Sequence, residues 1–160
     1  MKLRILIAVT VVFALLSFRK LINTTPVKCM IQMKNYSGEA AYIVISLIDN
    51  ENHYKETLYV QGDNDEWFSE IPSWWKFYGK YRPNLDAISG ATAGPGKRII
   101  NHINIPKNAF GKGYKLRFET AVEDDFYYEQ DVEMELSSKD DLNKKIEGTG
   151  YIRYIRMLCE

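Results

Sequence analysis

Histidine, cysteine and clustered charge are what this 160-residue chain has least of. Its two histidines, His53 and His102, stand in separate turn and strand contexts, without any H-E-x-x-H, C-x-x-C or EF-hand spacing. A built zinc or calcium site needs several ligands converging at such spacings, so metal catalysis has no visible frame. Cys29 and Cys159 lie near opposite ends of the chain and form no redox pair. An oxidising compartment would permit a bridge between them, and two buried small hydrophobes are the equal alternative. Hydrolysis by an activated serine also lacks its setting: Ser89 precedes Gly90, but the G-x-S-x-G elbow is missing. Formal charge is zero, with 21 basic and 21 acidic residues, and no stretch of sequence concentrates the basic ones. Phosphate neutralisation needs such a concentration, so the sequence offers nucleic acid no footprint.

What is present begins with a leader. Lys2 and Arg4 precede a continuous apolar run from Ile5 to Phe18. The run is shorter than the ~20 residues that span a bilayer comfortably, and it fits the apolar region of an export signal. No A-x-A cleavage site follows, and Arg19-Lys20 place charge on its far side. Residues 1–22 are therefore expected to be a signal peptide or an N-terminal membrane anchor, and residues 23–160 a single domain outside the cytoplasm. Without the leader, 17 basic residues face 21 acidic ones, a mildly acidic domain.

Strand-like segments occupy most of that domain. Cys29 to Lys34 alternates modestly, while Ala41 to Ile48 is almost wholly apolar and β-branched, as expected of a strand buried on both faces. The polar cluster Asp49 to Asn52 joins it to Lys55–Val60 as a hairpin. Arg98–Ile105, Tyr114–Val122, Tyr128–Leu136 and Tyr151–Met157 follow, with Leu116, Phe118, Thr120 and Val122 expected on one face and Lys115, Arg117 and Glu119 on the other. The expected fold is all-β, an immunoglobulin-like sandwich of about seven strands with a long aromatic-rich loop insertion.

That insertion runs from Glu66 to Gly96. It contains Trp67, Phe68, Trp74, Trp75, Phe77, Tyr78 and Tyr81, with a short helix expected from a Ser73 cap to a Gly79 stop. It continues into Asp86-Ala87-Ile88-Ser89-Gly90-Ala91-Thr92, small residues ending in a hydroxyl, and then Ala93-Gly94-Pro95-Gly96. Long excursions of this kind usually carry function or are disordered, and the aromatic density argues against disorder.

The segment Asp86-x-x-Ser89-Gly90-Ala91-Thr92 resembles the acceptor motif of flavinylated bacterial proteins. Cys29–Met33, Trp74–Lys80 and Lys115–Thr120 extend the likeness to the predicted periplasmic family known as domain of unknown function 2271. The resemblance implies FMN joined by a phosphoester to Thr92, installed by an ApbE-type flavin transferase. Asp86 would be the acid recognised or used during transfer, and Ser89, Gly90 and Ala91 the small residues that leave the hydroxyl accessible. It also implies electron transfer with a PepSY-type or other membrane redox protein, hence a carrier rather than a stand-alone enzyme. Trp74, Trp75 and Tyr78, with Trp67 and Phe77, are candidate stacking surfaces for the flavin ring. The alternative for these aromatics is a cap over one open end of the sandwich. For the protein as a whole, the alternative is an exported binding module without cofactor.

Overall fold

The structure is a computed structural model that describes residues 23–62, 64–81 and 89–159. The leader and Asp86 lie outside the described residues. Among the described residues nine strands form two sheets. The first, in the order β5-β1-β9-β8, comprises β5 (Arg98–Pro106), β1 (Thr24–Met33), β9 (Ile152–Cys159) and β8 (Ile146–Glu147). The second, in the order β4-β3-β2-β6-β7, comprises β4 (Ser89–Gly90), β3 (Tyr54–Gln61), β2 (Tyr42–Ile48), β6 (Lys115–Ala121) and β7 (Tyr127–Glu135). All pairings are antiparallel except the two-residue contact of β4 with β3. Seven of them span seven to ten residues, the number of strands expected from the sequence. The additional two, β4 and β8, are two residues each, too short for any periodicity to announce them.

β1 begins at Thr24, five residues earlier than its hydrophobic content suggests. Strict alternation from Thr25 to Met33 sends Val27, Cys29, Ile31 and Met33 into the core between the sheets. Leu116, Phe118, Ile103, Ile105, Val132, Ile155 and Met157 meet them there. First and last strands are neighbours, but Cys29 lies opposite Met157, while Cys159 lies opposite Val27, and both thiols are free. Cys29 is enclosed, and burial pushes its thiol up to about 12.

β2 is buried along its whole length, and the reason is a second core on its other face. There Tyr42, Val44, Val60 and Ala121 pack against Phe68, Ile71, Trp74 and Tyr78. The covering element is a 3-10 turn, Asp65–Glu70, leading into helix α1 (Pro72–Tyr81). Proline suits the first helical position because its missing N–H would be unpaired there anyway. Ile71, Trp74 and Tyr78 then fall on one stripe at helical spacing. The helix runs two residues past Gly79, because packing of this stripe outweighs glycine's weak tendency to stop it. The aromatics therefore lie across the outer face of the five-stranded sheet and not over an open end.

Candidate functional site

Thr92 stands on a short segment fastened at both sides. On its N-terminal side Gly90 pairs with Gln61, and the Gly62 amide donates to the Gly90 carbonyl. A Cβ at Gly90 would stand 2.6 Å from the Tyr59 hydroxyl, so a larger residue here would require the tyrosine to shift. On its C-terminal side Ala93 exchanges two backbone hydrogen bonds with Ala41, 2.8 and 2.9 Å, and its carbonyl also accepts from the Tyr36 hydroxyl at 3.2 Å. Further on, the Gly96 amide donates to the Lys34 carbonyl at 2.8 Å, and the Lys97 carbonyl accepts from the Met33 amide at 2.9 Å. Ala93 is buried, Thr92 is half-buried and Ala91 is exposed. Only Ala91 and Thr92 stand between the two fastenings, so the hydroxyl-bearing residue sits at a defined place near the surface.

The stacking surfaces read from the sequence fare differently from one another. Trp74 is fully buried: its ring lies 4.8 Å from that of Tyr78 at an interplanar angle of 10°, meets Phe68 edge-on, and donates its N–H to the Thr57 hydroxyl at 2.9 Å. This ring is part of the second core and offers no face to a ligand, which corrects its assignment. Tyr78 is nearly as enclosed, whereas Trp75 and Trp67 remain half-buried against the same core. Ser89 enters through its backbone pairing with Val60.

A polar cluster beside α1 escaped the sequence reading. Glu119 on β6 is fully buried, accepting from the Tyr54 hydroxyl at 2.8 Å and the Tyr127 hydroxyl at 2.5 Å. Burial pushes its carboxyl up to about 7, against the downward pull of those hydroxyls and of Arg117. Arg117 is itself buried, with Nε donating to Glu133 at 2.7 Å and one terminal nitrogen to Glu129 at 3.2 Å. Tyr54 also stacks on Phe77 of α1, and an open cleft of about 490 Å³ lies beside them, with Ser73 and Lys76 on its helix side. Alternation had placed Arg117 and Glu119 on the face away from the main core, and that is where they are. What alternation could not supply was the helix that covers this face.

Among the described residues, Asp49, Glu51 and His53 are the grouping that could present ligand atoms to a cation, all within 4.8 Å of one another. The Asp49 carboxylate is already committed to the hairpin. One oxygen accepts the Glu51 and His53 amides at 2.9 Å each, and the other pairs with the Lys55 ammonium at 2.8 Å. The Lys55 ammonium and the amides hold this carboxyl down at about 2. The cluster is a turn lock.

Fold and fastened loop define a class: a two-sheet β-sandwich with one covered outer face and a small-residue loop presenting a hydroxyl. The chain belongs to the family described as predicted periplasmic protein (DUF2271), whose model matches residues 24–154. That description agrees with the extracytoplasmic expectation from the leader, and no described helix is long and apolar enough to cross a membrane. No curated protein and no solved structure matches the chain.

Proposed function

We propose that this protein is an extracytoplasmic electron carrier holding FMN covalently, as a phosphoester on Thr92. The observation that carries the reading is the double fastening around Thr92, which presents one half-buried threonine between small residues on a segment fixed to both sheets. A transferase delivering a phosphate ester needs such access, since bulky neighbours would keep the hydroxyl from an enzyme-bound pyrophosphate. The residues fit the group: Gly90, Ala91 and Ala93 flank the hydroxyl with little bulk, and exposed Lys97, nearby in sequence, would balance phosphate charge. Trp75 and Trp67 retain accessible surface for an aromatic ring. Bound FMN would supply reversible one- and two-electron transfer, tuned by what packs on it. A tether keeps it at roughly millimolar effective concentration where free cofactor would be diluted away. The expected partners are an ApbE-type flavin transferase and a PepSY-type or other membrane redox protein.

Intact-mass measurement after co-expression with an ApbE-type transferase tests this directly. The expected result is an increment of one FMN phosphoester in the wild type that is lost in Thr92→Ala. Asp86→Ala, folded by circular dichroism, should acquire little flavin if Asp86 serves the transfer; full loading would remove that role. An unmodified wild type beside a transferase that loads a control substrate overturns the reading and leaves a cofactor-free binding module.

A further inference from the structure

The two outer faces of the sandwich are treated in opposite ways. The face of the five-stranded sheet is covered by α1, while that of β5-β1-β9 carries no covering element among the described residues. Strand register assembles this open face in rows. His102, Lys28 and Leu158 form one row; Ile100, Met30 and Arg156 the next; Arg98, Gln32 and Tyr154 the third. Lys28, Arg98, His102 and Arg156 are exposed, and Lys145 lies over the Tyr154 ring at 4.7 Å. Glu147, paired with Lys145, is the acid beside them. Ile100 and Leu158 are 52% and 59% exposed, two of the three large hydrophobics that stand out from the described surface. A mildly acidic domain thus gathers cations and apolar side chains, interleaved, on one flat face.

We infer that this open face docks on the surface of an anionic phospholipid bilayer. Interleaved basic and apolar side chains are the composition of interfacial binding, where apolar groups enter the headgroup boundary and cations meet lipid phosphates. The chain outside the structure favours lipid over another acidic surface. The apolar stretch Ile5–Phe18 and Arg19-Lys20 precede β1, which begins at Thr24. At no more than ~3.6 Å per residue, a bilayer met by that leader lies within about 15 Å of the start of β1 while the leader is attached. Each Lys or Arg close to an anionic leaflet shifts docking by about fivefold, so three of them together contribute on the order of 100-fold. The inference stands independently of any modification at Thr92.

The test uses the full chain reconstituted in lipid nanodiscs, with a fluorophore on exposed Cys159, Cys29 being enclosed. Quenching by a headgroup spin label is read in phosphatidylcholine discs and in discs with about 30% phosphatidylglycerol. Strong quenching is expected only with the anionic lipid, and it should vanish at about 1 M salt, where screening acts within about 3 Å. The triple variant Lys28→Gln/Arg98→Gln/Arg156→Gln should lower the docked-to-free ratio about 100-fold with an unchanged circular dichroism spectrum. Equal quenching in both discs, or an unaffected triple variant, overturns the inference. Retention on polyglutamate without dependence on lipid composition makes an acidic protein the occupant, and overturns it too.

Discussion

Glu119 makes the stability of this fold depend on pH in a direction opposite to that of most carboxylates. Its carboxyl is enclosed between β6 and the covering layer, so the charged form is disfavoured and the group is pushed up to about 7 from 4.5. The native state therefore binds this proton more tightly than the unfolded chain does. Its contribution is fully present below pH 4.5, falls as pH rises toward about 7, and is level beyond. At 1.36 kcal/mol per tenfold change in proton affinity, the whole loss is about 3 kcal/mol, of which about 2 to 3 kcal/mol falls between pH 5 and 8. Glu119→Gln removes the charge and keeps both an acceptor and a donor for the Tyr54 and Tyr127 hydroxyls. Urea unfolding of the two proteins from pH 5 to 8 isolates the effect by subtraction. The groups facing Glu119 do not confuse it: burial pushes both tyrosines above the ordinary phenol range, and Arg117 remains a cation throughout. Asp49 titrates far below this window and is common to both chains. The expected result is a wild type that loses about 2 to 3 kcal/mol relative to Glu119→Gln across the range. Parallel stability curves would refute the reasoning, because they would mean that the carboxyl is as well solvated folded as unfolded.

Substitutions at two further residues probe the layers that position the loop. Trp74→Ala removes the centre of the second core and should cost about 3 to 5 kcal/mol in urea unfolding, with Trp74→Phe costing about 1 to 2 through the lost bond to Thr57. A cost under about 1 kcal/mol for the alanine variant would mean that α1 is a loosely held appendage. Asp131 is buried and accepts from the Thr120 hydroxyl at 2.7 Å and from the Gly150 and Ile152 amides at 2.6 and 2.8 Å. Asp131→Ala leaves all three donors unpaired, so stability should fall by about 3 kcal/mol or more and exchange at those two amides should accelerate. Unchanged exchange would show that another acceptor holds the turn before β9.

The sequence was most readable where one rule acted alone. Period-two alternation located Cys29 to Met33 and Leu116 to Val122 on their faces, since each strand has one face toward the main core. The almost wholly apolar run of β2 likewise signalled burial on both faces. It could not name the second layer. Trp74 looks the same in sequence whether its ring meets a ligand or Val44 and Tyr78, because burial is decided by a sheet assembled from distant residues. The Thr92 loop was recognisable by its small residues, but its fastening to Ala41, Tyr36 and Lys34 comes from chain more than fifty positions away. The basic face was invisible for the same reason. Lys28, Arg98 and Arg156 are scattered along the chain and become neighbours only through strand pairing.

Orientation ties the open face to the loop. The apolar stretch Ile5–Phe18 precedes β1, which begins at Thr24, whereas the Thr92 segment is fastened to the other end of β1, at Met33 and Lys34. Ten residues of strand separate those ends by about 30 Å. A domain standing upright on its N-terminus would hold Thr92 at least that far from the bilayer, too far for direct exchange with a redox group at the membrane surface. Lying on the face of β5-β1-β9 instead brings β1 parallel to the membrane. The segment that crosses from β4 to β5 then lies above it by about the ~10 Å that separates packed sheets. Docking of the basic face would thus bring the proposed tether site at Thr92 from a distal to a membrane-proximal position. It would do so without any change inside the fold, because strand pairing already puts the cations on the open side.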